Sequence, residues 1–122
     1  MTESRKKLTF ISRRAPYAED YPRACLDMVM AAAVFEQDVS YLFLGDGVYQ
    51  LLPEQQADAI RSKSLAAHLG ALSLYGVEKL YADGPALASR ELDPEGLAVP
   101  VEVLDQEALQ ELIADSDQVF VL

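Results

Sequence analysis

DVSYLFLGDGVYQLLPEQ, residues 38–55, indicates the fold class of this chain. Val39-Ser40-Tyr41-Leu42-Phe43-Leu44 reads as a strand buried on both faces. Gly45-Asp46-Gly47 stops it, and Val48-Tyr49-Gln50-Leu51-Leu52 restarts the chain as a short apolar helix or turn. An apolar strand that ends in a glycine-bracketed acid belongs at the carboxyl edge of an α/β sheet, where such folds place their sites.

Outward from that stretch, strands and helices alternate. Lys7–Ser12 and Val39–Leu44 are predicted strands, followed by Val77–Ala82, Val101–Leu104 and Gln118–Leu122. Tyr21–Glu36 is a predicted helix with Asp20 as N-cap and Pro22 in its first turn. Its apolar positions Cys25, Met28, Val29, Ala32 and Phe35 recur at helical spacing. Ser64–Tyr75 is a second helix, with Leu65, Leu69 and Leu72 on one side and Gly76 at its C-terminus. Pro85–Arg90 is a short third helix. Asp105 caps a fourth, Gln106–Ala114, which faces inward through Leu109, Leu112 and Ile113. Connections too long for hairpins imply parallel pairing with right-handed crossovers. The expected architecture is a flavodoxin-like three-layer α/β/α sandwich with a five-stranded, mostly parallel sheet. Residues 53–64 form the most polar connection, and the first six residues are expected to fray.

The chain's 122 residues suit one domain spanning 1–122, and 51% hydrophobic content supplies a core without any tryptophan. Net charge is −10 and the pI about 4.4, which opposes direct docking on nucleic acid or on an anionic membrane. Arg5, Lys6, Lys7, Arg13 and Arg14 are half of the ten basic residues, and no basic residue follows Arg90. A basic front and an acidic back suit contact with neighbouring protein subunits. No 18-residue apolar run is present. The amino-terminal ten residues are too polar for a signal peptide, and a single cysteine excludes an internal disulfide, so a cytoplasmic location is expected.

Chemistry-bearing residues are few. Cys25, the lone thiol, falls on the apolar stripe of its helix and reads as packed and inert; a catalytic thiolate needs exposure and positive surroundings. His68 is the lone histidine and lies beside an apolar face, so no two-histidine metal site exists. Gly45-Asp46-Gly47 matches no phosphate-binding fingerprint. Asp46 reads as a cap for the segment beginning at Val48, or as a contact for a partner's cation. Arg13 and Arg14, in the loop after the first strand, are candidates for binding an anion or a partner. Tyr49, Leu51 and Leu52 are either partly exposed for a protein contact or buried under the second helix. No cofactor and no metal is expected.

SRRAPY (12–17), LFLGDGVYQL (42–51), LYGVEKLYAD (74–83) and SREL (89–92) together resemble the DsrE/DsrF-like sulfur-relay proteins, most closely the TusC/DsrF type of subunit. The resemblance runs over nearly the whole chain and implies the α/β sandwich reached above. It also implies a heterohexamer in which related D/E-type and B/H-type subunits pass persulfide sulfur between cysteines, without direct contact of this chain with nucleic acid. The relay cysteine of the catalytic D/E-type subunit follows the third strand. The matching residues here, Leu80-Tyr81-Ala82-Asp83-Gly84, contain no thiol. The resemblance therefore implies an accessory subunit with no catalytic residue of its own; Arg13, Arg14, Asp46, Tyr49 and Gln50 are its candidate partner-binding residues. The implied destination of the sulfur is the 2-thio group of a tRNA wobble uridine. The alternatives are a DsrF-type role in dissimilatory sulfur oxidation and a sulfurtransferase acting through Cys25.

Overall fold

The computed structural model describes residues 6–15, 21–52 and 69–122. Five strands form one sheet: β1 (Lys7–Ser12), β2 (Asp38–Phe43), β3 (Lys79–Asp83), β4 (Glu102–Leu104) and β5 (Gln118–Val121). Their order is β4-β3-β2-β1-β5, and every neighbouring pair is parallel. Three α-helices are described: α1 (Tyr21–Val34), α2 (Gly84–Ser89) and α3 (Gln106–Ala114). Single 3-10 turns occupy Gly45–Leu51, Leu72–Tyr75 and Pro94–Gly96.

The layers follow from crossover handedness. β1 to β4 step across the sheet in one direction, so right-handed connections stack their helical segments on one face. Cys25, Leu26 and Val29 of α1, with Leu69, Leu72 and Leu87, pack there against Phe10, Val39, Tyr41 and Phe43. The return from β4 to β5 runs the other way and carries α3 to the opposite face, where Leu109 covers Ile11, Leu42 and Leu104. The chain thus has the expected α/β/α layers. Its order departs from that of flavodoxin itself, where the chain reverses direction after its second strand. Here the reversal comes after the fourth, which leaves one face with a single helix among the described residues.

That face is apolar toward the carboxyl ends of the strands and polar toward the amino ends. Thr9 and Ser40 are buried beneath a row of charges, with Lys7 Nζ on Asp115 at 2.8 Å and Lys79 Nζ on Asp38 at 2.7 Å. Both pairs are open to solvent, which screens them, so they add little to stability.

The structure shifts several expected boundaries. α1 ends at Val34, and Glu36 takes a left-handed φ of 58° that closes it. Its buried stripe runs through Pro22, Cys25, Leu26 and Val29, so Met28 and Phe35 turn outward. Ile113 of α3 is likewise partly exposed. Position decides this whatever the hydropathy: Phe35 lies past the last residue of α1, and Met28 and Ile113 stand at the margins of their helices' buried faces. The second helix is described only from residue 69, where it closes in the Leu72–Tyr75 turn with Gly76 at φ 85°. The Asp20 cap, Pro16, Tyr17, Leu65, His68 and the polar connection over 53–64 lie outside the described residues.

Candidate functional site

The carboxyl ends of β1, β2 and β3 meet at one edge, and the 3-10 turn Gly45–Leu51 lies across them. Close approach is the reason for glycine at 47: a Cβ there would fall 1.9 Å from the Ser12 carbonyl oxygen. That oxygen also accepts the Leu44 amide at 3.0 Å, which fixes the end of β2 against β1. Gly45 serves a different need, a left-handed φ of 55° that reverses the chain after β2.

Asp83 closes β3 and organises the edge from within. Its Oδ1 accepts the Ala86 amide and caps α2, and its Oδ2 accepts the Gly45 amide, both at 3.1 Å. One buried carboxylate therefore ties the β2 turn to the start of the next helix. Above it, Arg90 reaches back from the end of α2. Its Nη2 lies 2.8 Å from Asp46 Oδ1, its Nη1 donates to the Ala86 carbonyl at 3.2 Å, and its guanidinium carbon stands 5.8 Å from the centre of the Tyr49 ring. Asp46 does not cap the turn: Leu44 occupies the N-cap position without a side-chain cap bond, and the carboxylate is spent on Arg90.

Gln50 lies inside. It is 2% exposed, and its Nε2 donates to Ser12 Oγ at 2.7 Å and to the Arg14 carbonyl at 2.9 Å. The expectation that Gln50 touches a partner directly is corrected accordingly: its side chain holds the Ser12–Arg14 loop in place. Arg13 is exposed and Arg14 half-buried on that loop, Tyr49 is half-buried, and Leu51 is fully buried. Arg13, Arg14, Asp46 and Tyr49 thus share the carboxyl edge with Arg90 and Asp83. Reading the sequence missed the last two. Asp83 carried a signal, since Asp-Gly-Pro is the start of a capped helix. Arg90 carried none, because its partner Asp46 is 44 residues away.

Cys25 is fully buried on α1. Burial pushes its thiol up to about 11, although the nearby Tyr41 and Ser12 hydroxyls pull the other way. Burial likewise raises Tyr41 well above the ordinary phenol value. At neutral pH the sulfur is a protonated, enclosed thiol, the opposite of an activated nucleophile. Native protein is therefore expected to resist thiol-reactive dyes until it unfolds; stoichiometric labelling without unfolding would contradict the packing. The same shift sets an alkaline limit. The unfolded thiol releases its proton near 9.0 and the folded one near 11. Its contribution is complete below pH 9 and is lost as pH rises through 11, a fall on the order of 2 kcal/mol. Cys25→Ser is expected to flatten that part of a stability-versus-pH curve.

Among the described residues no cluster of His, Cys, Asp and Glu could hold a metal, and no helix is long and apolar enough to cross a membrane. The edge offers one exposed carboxylate, a braced guanidinium and a half-buried phenol ring, which suits recognition by contact. The model of the DsrE/DsrF-like family matches residues 6–122. The chain belongs to the DsrE/DsrF-like family. Within it, the chain is 41% identical over 117 residues to a Pseudomonas aeruginosa protein named a TusC homolog, covering 96% of this chain and 98% of that one. It is 35% identical to the intracellular sulfur oxidation protein DsrF of Allochromatium vinosum, with 98% of each chain covered. Escherichia coli TusC is 32% identical over 113 residues, with 92% and 95% covered. The fold of the E. coli ychN protein superposes with a TM-score of 0.79 at 18% identity, over 96% of this chain and 99% of that one, which bears on architecture alone.

Proposed function

We propose that this DsrE/DsrF-like chain is a non-catalytic subunit of a heterohexameric sulfur-relay complex whose sulfur goes to the wobble uridine of tRNA. The observation that carries the reading is the enclosed Cys25. Thiol–disulfide and persulfide exchange proceed by thiolate attack, and the chain's one sulfhydryl is both shut in and protonated. Where the resemblance implies a relay cysteine, the matching stretch Leu80–Gly84 holds none, and the carboxylate of Asp83 within it is committed to two backbone amides. Sulfur then passes through related subunits, and this chain completes and positions the assembly.

Surface composition supports a life in a complex. Val34, Phe35 and Leu74 are 71%, 75% and 84% exposed. They sit on α1 and on the Leu72–Tyr75 turn, or just past the helix end, and these two elements touch each other. Large apolar side chains exposed in one region mark protein contacts. TusC-named relatives favour tRNA as the destination, while the DsrF relative at 35% identity keeps sulfur oxidation as the second reading.

Expressed beside D/E-type and B/H-type subunits, the chain is expected to co-purify with them as a mixed hexamer. Recovery as a free monomer under those conditions overturns the proposal. Deleting the chain from its host is expected to lower 2-thiouridine in tRNA. Unchanged 2-thiouridine together with impaired sulfur oxidation selects the second reading. Loss of sulfur transfer in Cys25→Ser, with the complex intact, would instead make this chain a sulfurtransferase.

A further inference from the structure

Parallel sheets are normally covered on both faces. Here, among the described residues, one face carries only α3, nine residues long, whose Leu109 sits over Ile11, Leu42 and Leu104. Beside that helix lies a groove of about 590 Å³, lined by Tyr81, Glu102, Leu104, Glu111 and Leu112 among others. At Tyr81 and Glu102 it meets a second hollow of about 490 Å³ that reaches Glu78. The floor is apolar and the walls are acidic. Glu78, Glu102 and Glu111 are exposed, and no ion pair is formed by any of them among the described residues. Asp115, at the far end, already holds Lys7. The one lysine along the groove, Lys79, is held by Asp38 at 2.7 Å. The neighbouring strand β4 ends the sheet, and among the described residues its outer edge has no partner strand.

We propose that this groove receives a basic segment of a partner subunit, which sets a Lys or Arg against Glu102 and Glu111 and an apolar side chain on Tyr81 and Leu112. Charge complementarity selects the occupant: the walls are negative, and their cations are spent within the chain. It also argues for a different polypeptide, because two copies that each carry −10 repel one another. The inference rests on the relay-subunit reading and names the surface by which the chain joins its complex.

The test is Glu102→Lys combined with Glu111→Lys, co-expressed with D/E-type and B/H-type subunits. Both positions are exposed, so the variant is expected to melt like the wild type. It is expected to lose the mixed complex, or to bind roughly ten-fold more weakly or worse. The milder pair Glu102→Gln and Glu111→Gln is expected to weaken assembly less and to reduce its salt sensitivity. Full assembly of the charge-reversed variant overturns the groove assignment and leaves the functional reading standing. Failure of the wild type to assemble overturns both. A wild-type homodimer that the reversal dissociates would assign the groove to a second copy and overturn the proposal of a foreign segment.

Discussion

Gly47→Ala is expected to remove a large share of the stability of this protein. The added methyl would sit 1.9 Å from the Ser12 oxygen, 2.8 Å from its carbonyl carbon and 3.2 Å from the Arg13 Cα, and all three are backbone atoms. None can retreat cheaply, because β1 pairs with β2 along its whole length and the Ser12 oxygen is bonded to Leu44. Relief requires lifting the 3-10 turn, which would expose Val48 and Leu51, both fully buried. A loss of about 4 kcal/mol or more is expected, against a total of roughly 5–15 kcal/mol for a domain. Gly45→Ala is the control. No atom lies within 4 Å of a Cβ there, and only the left-handed φ of 55° resists, so about 1–2 kcal/mol is expected. Denaturant midpoints of the two variants measure the difference. Equal midpoints would mean that the turn does not press on β1.

Phe43→Ala is the second large effect. The ring is fully buried at the centre of the major core and stacks on Tyr41, with centroids 4.4 Å apart and planes at 24°. Truncation removes the ring and leaves a cavity, for about 3–5 kcal/mol. For a domain of this size the melting temperature is expected to fall by about 10–20 °C. Phe35→Ala, at the exposed end of α1, is expected to change melting little in the isolated chain. If Phe35 lies at a subunit contact, its effect will appear in assembly instead. A Phe43 variant that melts with the wild type would place the core elsewhere.

The contrast between these two phenylalanines shows what a sequence reveals. Burial of Val39–Phe43 was legible, since a run with no wet side has one stable place, inside a parallel sheet. The Asp105 cap of α3 was legible because its cause is local, and its carboxylate accepts the Ala108 amide at 2.8 Å. Phe35 misled because residues at the last turn of a helix obey its period only until a left-handed residue ends it. The site was legible as a location and less so as chemistry. Arg13, Arg14, Asp46 and Tyr49 gather at the expected edge, but the Arg90–Asp46 pair and the inward turn of Gln50 depend on contacts tens of residues apart. Strand order was equally hidden. Alternation predicts parallel pairing, and nothing local says that the last strand returns to the first.

That return has a consequence for how the molecule is made. β5 supplies the second neighbour of β1, and Phe120 stacks on Phe10 at 4.9 Å. A ribosome adding about 5–20 residues per second leaves the opening strand waiting roughly 5–25 s for its closing mate. Throughout that interval one flank of the nascent sheet is open to any passing extended segment. A product that stops before β5 would leave this flank permanently bare, so such truncated chains are expected to be caught by chaperones or to aggregate.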